Sequence, residues 1–459
     1  MAERLVVIGG DAAGMAAASQ ARRRRDRAEL EIVAFERGHF TSYSACGIPY
    51  WVSGVVSERE QLIARDPATF REKFDIDVRL RHEVTAIDPD RREVVARDLA
   101  GGGQVRERYD TLVYATGATP VRPKWGTDGI AGVFGVQTLD DGSALLNWLD
   151  HEPRPRRAVV VGGGYIGVEM AEALLQRGLS VDLVEQADRP LPTMDPDMAE
   201  LALDALRRIG VGIRTGLSVT GLRERDGRVA AVVTPEGPIP TDVVVLGLGV
   251  RPNTALAEAA GLPLGPTGGV RTDRRMRVPG VAGVWAAGDC VETLHRVSGM
   301  PVHIPLGTHA NKQGRVAGIN IGGGYATFPG VIGTAVTKVC DLEVGRTGLR
   351  EQDARAVGFE FVSVVAESTS RAGYYPGARP MTVKLIAERP SGRLLGAQIV
   401  GWSEAAKRID ALAVALWNGM TVDEMTSLDL GYAPPYAPVW DPVLIAARKA
   451  VDALAHSGR

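Results

Sequence analysis

The sequence predicts an α/β protein built from two similar parallel-sheet units, with a smaller α+β region at its C-terminal end. Three observations carry that expectation. A short β-branched run, a glycine-rich turn and an alanine-rich helix occur twice, in "RLVVIGGDAAGMAAASQARRR" from Arg4 and in "RAVVVGGGYIGVEMAEALLQRG" from Arg157. Each copy is followed by a second strand ending in an acid, "LEIVAFE" at Glu36 and "LSVDLVE" at Glu185. From about Phe328 onward the glycine turns stop and alternating, strand-like stretches take over.

Taken in order, the first copy places Gly9 and Gly14 in register for a dinucleotide turn, with Asp11 at the middle glycine position. Glycines there permit a tight turn and let a pyrophosphate approach the helix N-terminus. An acid beside a pyrophosphate is unfavourable unless it points away or is hydrogen-bonded. "TLVYATGATP" (111–120) reads as a strand running into a further glycine turn. The second copy has the full G-x-G-x-x-G spacing at Gly162, Gly164 and Gly167. Glu185 then stands where a carboxylate accepts the ribose hydroxyls and repels a 2′-phosphate, which favours NADH over NADPH. Arg189 is close enough in sequence to oppose that preference. "GVWAAGDCVE" (283–292) is another strand, ending at Gly288 and Asp289. After it, "GTAVTKVCDLEVGRTGL", "FEFVSVVAE", "MTVKLIAE" and "RLLGAQIVG" read as antiparallel strands, with helices expected around 403–418 and 421–427. The resulting division is 1–119 and 251–326 as two parts of a first dinucleotide domain, 120–250 as a second, and 327–459 as a C-terminal interface domain.

Composition narrows the function. The 459 residues are 45% hydrophobic and 24% charged, as in globular proteins, and the net charge of −2 offers no bulk attraction to nucleic acid or a membrane surface. Three cysteines make no disulfide framework. The chain enters a strand at once, which leaves no room for a signal peptide, and no apolar run reaches transmembrane length; a cytoplasmic protein is expected. No histidine or cysteine spacing suggests a metal site.

Four segments, "GGDAAG", "ATGATP", "GGGYIGVE" and "AAGDC", resemble the FAD- and NAD(P)H-dependent pyridine nucleotide-disulfide oxidoreductases. "SYSACGIPY", with its lone Cys46, is similar to their single-cysteine branch, and "AGYYPGARP" and "YAPPYAPVWDP" resemble the coenzyme A-disulfide reductase group within it. The resemblance runs over essentially the whole chain. It implies two Rossmann-like domains, the first holding FAD and the second NADH or NADPH, and a C-terminal domain that forms a two-fold homodimer. Asp289 would bind the ribityl-phosphate side of FAD and Glu36 its adenosine ribose, and "HIPLGTHANKQGR" (303–315) would run along the flavin. Further cofactor contacts are implied at Arg37, Ala115, Thr116, Gly117, Pro305, Leu306, Ile166 and Gly249, beside the glycines already named.

A cysteine pair stores two electrons as an internal disulfide; a single cysteine instead forms a mixed disulfide with a small thiol, or a sulfenic acid. Cys46 therefore suits a cycle in which the substrate brings the second sulfur. Its bland alternative is a buried small hydrophobe. "CGIPYW" reads as a helix start, whose dipole would lower the Cys46 pKa. Tyr374 and Tyr432, carried over from the matching motifs, are candidates to protonate the leaving thiolate across the dimer, against ordinary interface packing. Cys290 is expected to pack beneath the flavin, Cys340 to lie within a strand, and His303 and His309 to have surface or core roles.

The oxidase and peroxidase relatives place a histidine in the first glycine turn; Ala12 stands there in this chain, which argues against oxygen or peroxide as acceptor. The resemblance implies that Gln20, Arg23, Ser42 and Lys73 hold the ADP end of coenzyme A. The run "ARRRRDR" (21–27) suits a phosphate-rich substrate or, alternatively, a solvated helix face. Ala45 departs from the asparagine typical of coenzyme A-disulfide reductases at that place. No rhodanese-like domain is appended, which disfavours that type of persulfide reductase. The leading expectation is reduction of coenzyme A disulfide or a similar small disulfide. The alternatives are an NADH oxidase or persulfide reductase, and a flavin- and NAD(H)-binding redox sensor without rapid turnover.

Overall fold

A computed structural model describes residues 2–126, 129–151 and 153–456, so that residue 1 and residues 457–459 of the expected outer segments lie outside the described residues. Glu3–Ile8 is the central strand of a five-stranded parallel sheet, in the order Val284–Ala286, Thr111–Tyr114, Glu3–Ile8, Leu30–Phe35, Ile76–Arg79. Its apolar run is buried from Leu5 to Ile8 because the helix that follows and an antiparallel meander at 82–108 both pack against this sheet, so that the strand reads as a continuous hydrophobic stretch. Helix α1 (Ala12–Arg22) follows the turn, and its small side chains Ala13, Gly14, Ala17, Ala18 and Ala21 are buried. They let α8 (Gly307–Ile321) pack close: a Cβ on Gly314 would press into the carbonyl of Ala13, and one on Gly318 into that of Ala17.

The second sheet repeats the first, in the order Gly212–Arg214, Ser180–Val184, Arg157–Val161, Val243–Leu246, Val133–Phe134, all parallel. Helices α4 (Leu139–Asp150), α5 (Tyr165–Gln176) and α6 (Pro196–Arg208) belong to this unit. The repeat extends further than the two glycine turns. Each unit carries a three-stranded antiparallel meander, at 82–108 in the first and 221–240 in the second. The two units are joined where the chain leaves and returns, by Ala118–Pro120 paired antiparallel with Val250–Pro252. Val284–Ala286 then completes the first sheet, with α7 (Ala255–Ala259) between.

The C-terminal sheet is antiparallel, in the order Ala335–Val339, Leu342–Gly348, Leu394–Gly401, Pro380–Glu388, Phe361–Thr369. Leu394–Gly401 is buried along its whole length, under α10 (Ala405–Trp417) and near α6 of the second unit. One expectation needs correction. "GTAVTKVCDLEVGRTGL" is a hairpin, and Cys340 stands at its tight turn with φ +51° instead of inside a strand. The helices expected at 403–418 and 421–427 are Ala405–Trp417 (α10) and the single turn Val422–Met425 (α11). A third, α12 (Pro442–His456), was unforeseen: it opens on the proline of the "VWDP" segment, a position where proline starts a helix readily. Among the described residues no helix is long and apolar enough to cross a membrane.

Candidate active site

The C-terminal ends of the first sheet's parallel strands lie along one edge, the place where open α/β sheets bind ligands. Gly9 has φ +105°, and a Cβ on it would press into the carbonyl of Ala115. A Cβ on Gly14 would strike the carbonyl of Gly9, so α1 starts hard against the turn. Gly288, at φ +92°, brings the segment after Val284–Ala286 to within contact of Ala13. Glu36 closes the rim: its carboxylate accepts the Gly10 N–H at 2.8 Å and the Gly38 N–H at 2.7 Å. Arg37 beside it is exposed. Ala115, Thr116 and Gly117 form the opposite wall, with the Thr116 hydroxyl donating to the Asn253 carbonyl at 2.7 Å. Asp289 is desolvated, which raises its carboxyl, while nearby His303 acts to lower it. The His303 ring lies 2.8 Å from the Asp289 carbonyl, and Pro305 and Leu306 lead into α8 from there.

In the second unit Gly162 (φ +101°) and Gly167 repeat the same close fits, against Gly247 and Gly162. Gly164 caps α5 and faces open space, as a phosphate cradle requires. Ile166 is exposed at the start of α5, and Gly249 (φ +80°) lies in the open turn opposite. The Glu185 carboxylate accepts the N–H of Gly163 at 2.6 Å and of Ala187 at 2.7 Å, which fixes it beside the second glycine turn. Arg189 is engaged elsewhere, with Glu200 at 2.7 Å. Both turns thus have the acid and the helix N-terminus that a dinucleotide needs; the second is open at Gly164, and in the first Asp11 stands at that place, its carboxylate hydrogen-bonded to the Tyr43 N–H. FAD in the first and NAD(P)H in the second fit the residues present.

Cys46 lies in a short 3₁₀ turn, Ala45–Gly47, that runs into α2 (Ile48–Ser53). The loop before it is fastened to the first glycine turn. The Thr41 hydroxyl and the Ser42 N–H donate to the Gly10 carbonyl, the latter at 3.2 Å, and the Tyr43 N–H donates to Asp11 Oδ1 at 3.3 Å. Behind it, α2 is wedged against α4, where Gly142 leaves just enough room for Trp51 and Ile48. The thiol is open to solvent, yet the protein around it strips away part of its water. That desolvation, then the charges of Glu169, Asp289 and Asp11, raises its pKa above the ordinary thiol value. The expected lowering by a helix dipole is therefore overturned. The Cys46 backbone N–H at this helix start does act to lower the thiol, as expected, but burial and the three carboxylates outweigh it.

Glu169 was not singled out from sequence. It stands two residues past Gly167, on the side of α5 that meets α2 and the C-terminal hairpin. Burial raises its carboxyl; the Thr337 hydroxyl, donating at 2.8 Å, lowers it in part. The signal available was its spacing of three from Glu172, which puts two acids on one helix face.

The other expected residues divide. Tyr374 (78% exposed) and Tyr432 (49%) are brought together: Tyr432 is close enough to raise the pKa of the Tyr374 hydroxyl, and the Ala372 N–H donates to the Pro434 carbonyl at 3.1 Å to join their loops. Neither is among the groups that act most on Cys46 within the same chain. Gln20 and exposed Arg23 lie at the end of α1, and exposed Lys73 at the end of α3 (Pro67–Phe74). These ends are bonded through Arg22, whose Nε donates to the Phe74 carbonyl at 2.9 Å. Ser42 is on the Cys46 loop, at φ +50°. Most of the arginine run is structural: Arg22 ties down α3, Arg25 pairs with Glu3 at 2.6 Å and Arg27 with Asp75 at 3.6 Å. Arg23 is held loosely, 3.5 Å from Gln20. Cys290 is fully buried, beside the carbonyls of Tyr114 and Ala287, and burial pushes it up to about 12. Cys340 is held by its N–H on Glu172 at 2.8 Å. His309 lies by the Ile304 carbonyl, and burial lowers its pKa.

Comparison with known proteins agrees with this geometry. The pyridine nucleotide-disulphide oxidoreductase description matches residues 3–314, and its dimerisation domain matches residues 334–442. An NAD(P)H coenzyme A polysulfide/persulfide reductase of Pyrococcus horikoshii is 38% identical, covering 98% of this chain and 98% of that protein. A coenzyme A disulfide reductase of Staphylococcus haemolyticus is 29% identical, over 98% of this chain and 99% of its own. Among solved structures, reduced CoADR-RHD of Bacillus anthracis superposes with a TM-score of 0.95 at 34% identity, covering 99% of this chain and 81% of that one. The NAD-dependent persulfide reductase of A. fulgidus gives 0.94 at 41%, covering 99% and 84%.

Proposed function

This chain belongs to the pyridine nucleotide-disulphide oxidoreductase family, as an FAD-dependent NAD(P)H oxidoreductase with a dimerisation domain, and from that premise we propose that it reduces a low-molecular-weight disulfide, coenzyme A disulfide or one like it, through Cys46. The observation that carries the reading is one solvent-open thiol bonded, through its own loop, to the first glycine turn.

Gly9, Gly14, Glu36, Ala115–Gly117 and Asp289 would hold FAD, and Gly162, Gly164, Gly167 and Glu185 the nicotinamide cofactor. Bound FAD supplies the two-electron relay between NAD(P)H and sulfur. Cys46 as thiolate attacks RS–SR; the Cys46–SR bond forms, the S–S bond of the substrate breaks, and RS⁻ leaves and takes up a proton. Two electrons from NAD(P)H then break the Cys46–SR bond, release the second RS⁻ and restore the thiolate. The balance is RS–SR + NAD(P)H + H⁺ → 2 RSH + NAD(P)⁺. Tyr374 and Tyr432 of the second subunit would supply a proton or hydrogen bond to the leaving sulfur; their exposure on the C-terminal domain suits contact with another subunit's cleft. Arg23, Gln20 and Lys73, at the joined ends of α1 and α3, would meet the phosphates of a coenzyme A disulfide. NADH is the favoured donor, because Glu185 occupies the ribose position while Arg189 is paired with Glu200. A reactive free thiol suits a reducing compartment, so we place the enzyme in the cytoplasm.

A second reading is favoured by the relatives: the 38%-identical archaeal protein is named a polysulfide/persulfide reductase, and Ala45 lacks the polar contact of the disulfide reductases. A persulfide uses the same Cys46 step. Steady-state NADH oxidation with coenzyme A disulfide, a coenzyme A persulfide and oxygen as alternative acceptors separates the readings. Disulfide-dependent turnover that disappears in Cys46→Ser, with FAD content unchanged, supports the proposal; full turnover in that variant refutes it.

A further inference from the structure

The first glycine turn carries a carboxylate that the reading above leaves without a role. Asp11 stands at the N-cap of α1 yet makes no side-chain cap bond to its own helix. Its Oδ1 instead accepts the Tyr43 N–H. With the two bonds from Thr41 and Ser42 to the Gly10 carbonyl, three consecutive residues of the Cys46 loop are tied to two consecutive residues of the phosphate turn. The groups facing Asp11 are themselves anionic or able to become so: Glu36 from the end of the second strand, Asp289 from the segment after Val284–Ala286, and Tyr43 and Cys46 from the loop. His303 is the cation-capable neighbour, and it faces Asp289. Burial first, then the Glu36 and Asp289 charges, push Asp11 up to about 6, against the Tyr43 amide. Asp11 in turn raises both Tyr43 and Cys46.

We infer that Asp11 is a positioning residue for the Cys46 chemistry: its carboxylate tethers the thiol's loop to the cofactor turn and sets a negative charge against that loop at Tyr43, three residues from the thiol. The inference rests on Cys46 being the redox sulfur. The two groups are reciprocally linked, so Cys46 gives up its proton more readily once Asp11 has gained one. Asparagine at position 11 keeps the acceptor and removes the charge; alanine removes both.

The test uses the FAD-loaded protein and two readouts. The first is the pH dependence of iodoacetamide alkylation at Cys46, read by mass spectrometry so that Cys290 and Cys340 are counted separately. The second is deuterium uptake by the peptide spanning 41–46. In Asp11→Asn the alkylation midpoint falls by about half a unit to one unit, which is roughly three- to tenfold more thiolate at a fixed pH below it, while deuterium uptake stays at the wild-type level. In Asp11→Ala the midpoint falls likewise and uptake in 41–46 accelerates. An unmoved midpoint in Asp11→Asn, or unchanged uptake in Asp11→Ala, overturns the inference. Retained disulfide turnover in Cys46→Ser would refute the underlying reading while leaving the measured Asp11–Cys46 coupling in place, so the two failures are distinguishable.

Discussion

At the scale of single residues, the chemistry turns on how the Cys46 proton is held. Desolvation and the carboxylates Glu169, Asp289 and Asp11 all favour the neutral thiol. A raised pKa means that the thiolate is scarce at neutral pH and grows as pH rises. The rate constant for the disulfide step should therefore increase through the alkaline range, where an unperturbed thiol would already have levelled off; stopped-flow measurement of RS⁻ release against pH checks this. A profile flat from pH 7 upward would instead mean that a cation or dipole lowers the pKa of the thiol. Cys46 itself was legible in the sequence, as one cysteine beside a glycine-rich turn. Its electrostatic surroundings were not, because Glu169 and Asp289 are more than a hundred residues away along the chain and meet it only through packing.

At the scale of elements, α2 is the part that aims the thiol. It is short, has a left-handed Gly54 at its C-cap, and takes its direction from neighbours. A Cβ on Gly142 of α4 would lie 2.9 Å from Trp51 and 3.0 Å from Ile48, tighter than packed side chains tolerate. Gly142→Leu should force α2 away from α4. We expect a loss of about 1–3 kcal/mol in stability, seen as a lower Tm, and a larger fall in disulfide kcat/KM than in the rate of flavin reduction by NADH, because the thiol moves while the second unit does not. The glycine turns and their strands were readable because close backbone approach leaves glycine as the only solution, at Gly9 against Ala115 and at Gly162 against Gly247. The Cys340 hairpin was misread as a single run because no Gly or Asn marks its turn; Cys340 itself takes the positive φ.

At the scale of the whole molecule, the second unit is clamped to the C-terminal sheet by a buried cation. Lys384 Nζ, 3% exposed, reaches Asp197 and Glu351 at 2.8 Å and Asp195 at 3.3 Å, and Gln398 donates to Asp195 at 2.6 Å. Burial acts to lower Lys384, but these carboxylates outweigh it and raise its pKa. Burial likewise acts to raise Glu351, and its bonds to Lys384, Ser363 and Arg355 outweigh that and hold it down to about 2. A carboxylate depressed in this way contributes stability above its ordinary pKa of 4.5, and loses it as pH falls towards 2. Lys384→Met should cost about 3–5 kcal/mol at neutral pH, since Asp195 is left buried without its cation, and should flatten the dependence of Tm on pH between 4.5 and 2. Calorimetry across that range measures both. The tyrosine pair makes a second prediction at this scale. A hybrid dimer of Cys46→Ser with Tyr374→Phe/Tyr432→Phe recovers one intact site only if the tyrosines act across the interface. Activity near half of wild type is expected, against none if they act within one chain.

The sequence by itself determined two dinucleotide cradles, the strand that returns to complete the first, and a lone thiol beside that cradle. Each depends on local geometry that only a few residue types satisfy: glycine where backbones touch, an acid at the strand end, cysteine where sulfur must react. Tertiary structure alone decided the charge around Cys46, the dismantling of the arginine run into ties such as Arg22 to Phe74, and the Lys384 clamp. Those properties arise from side chains far apart in sequence whose interactions vary with distance and burial, and the fold sets both.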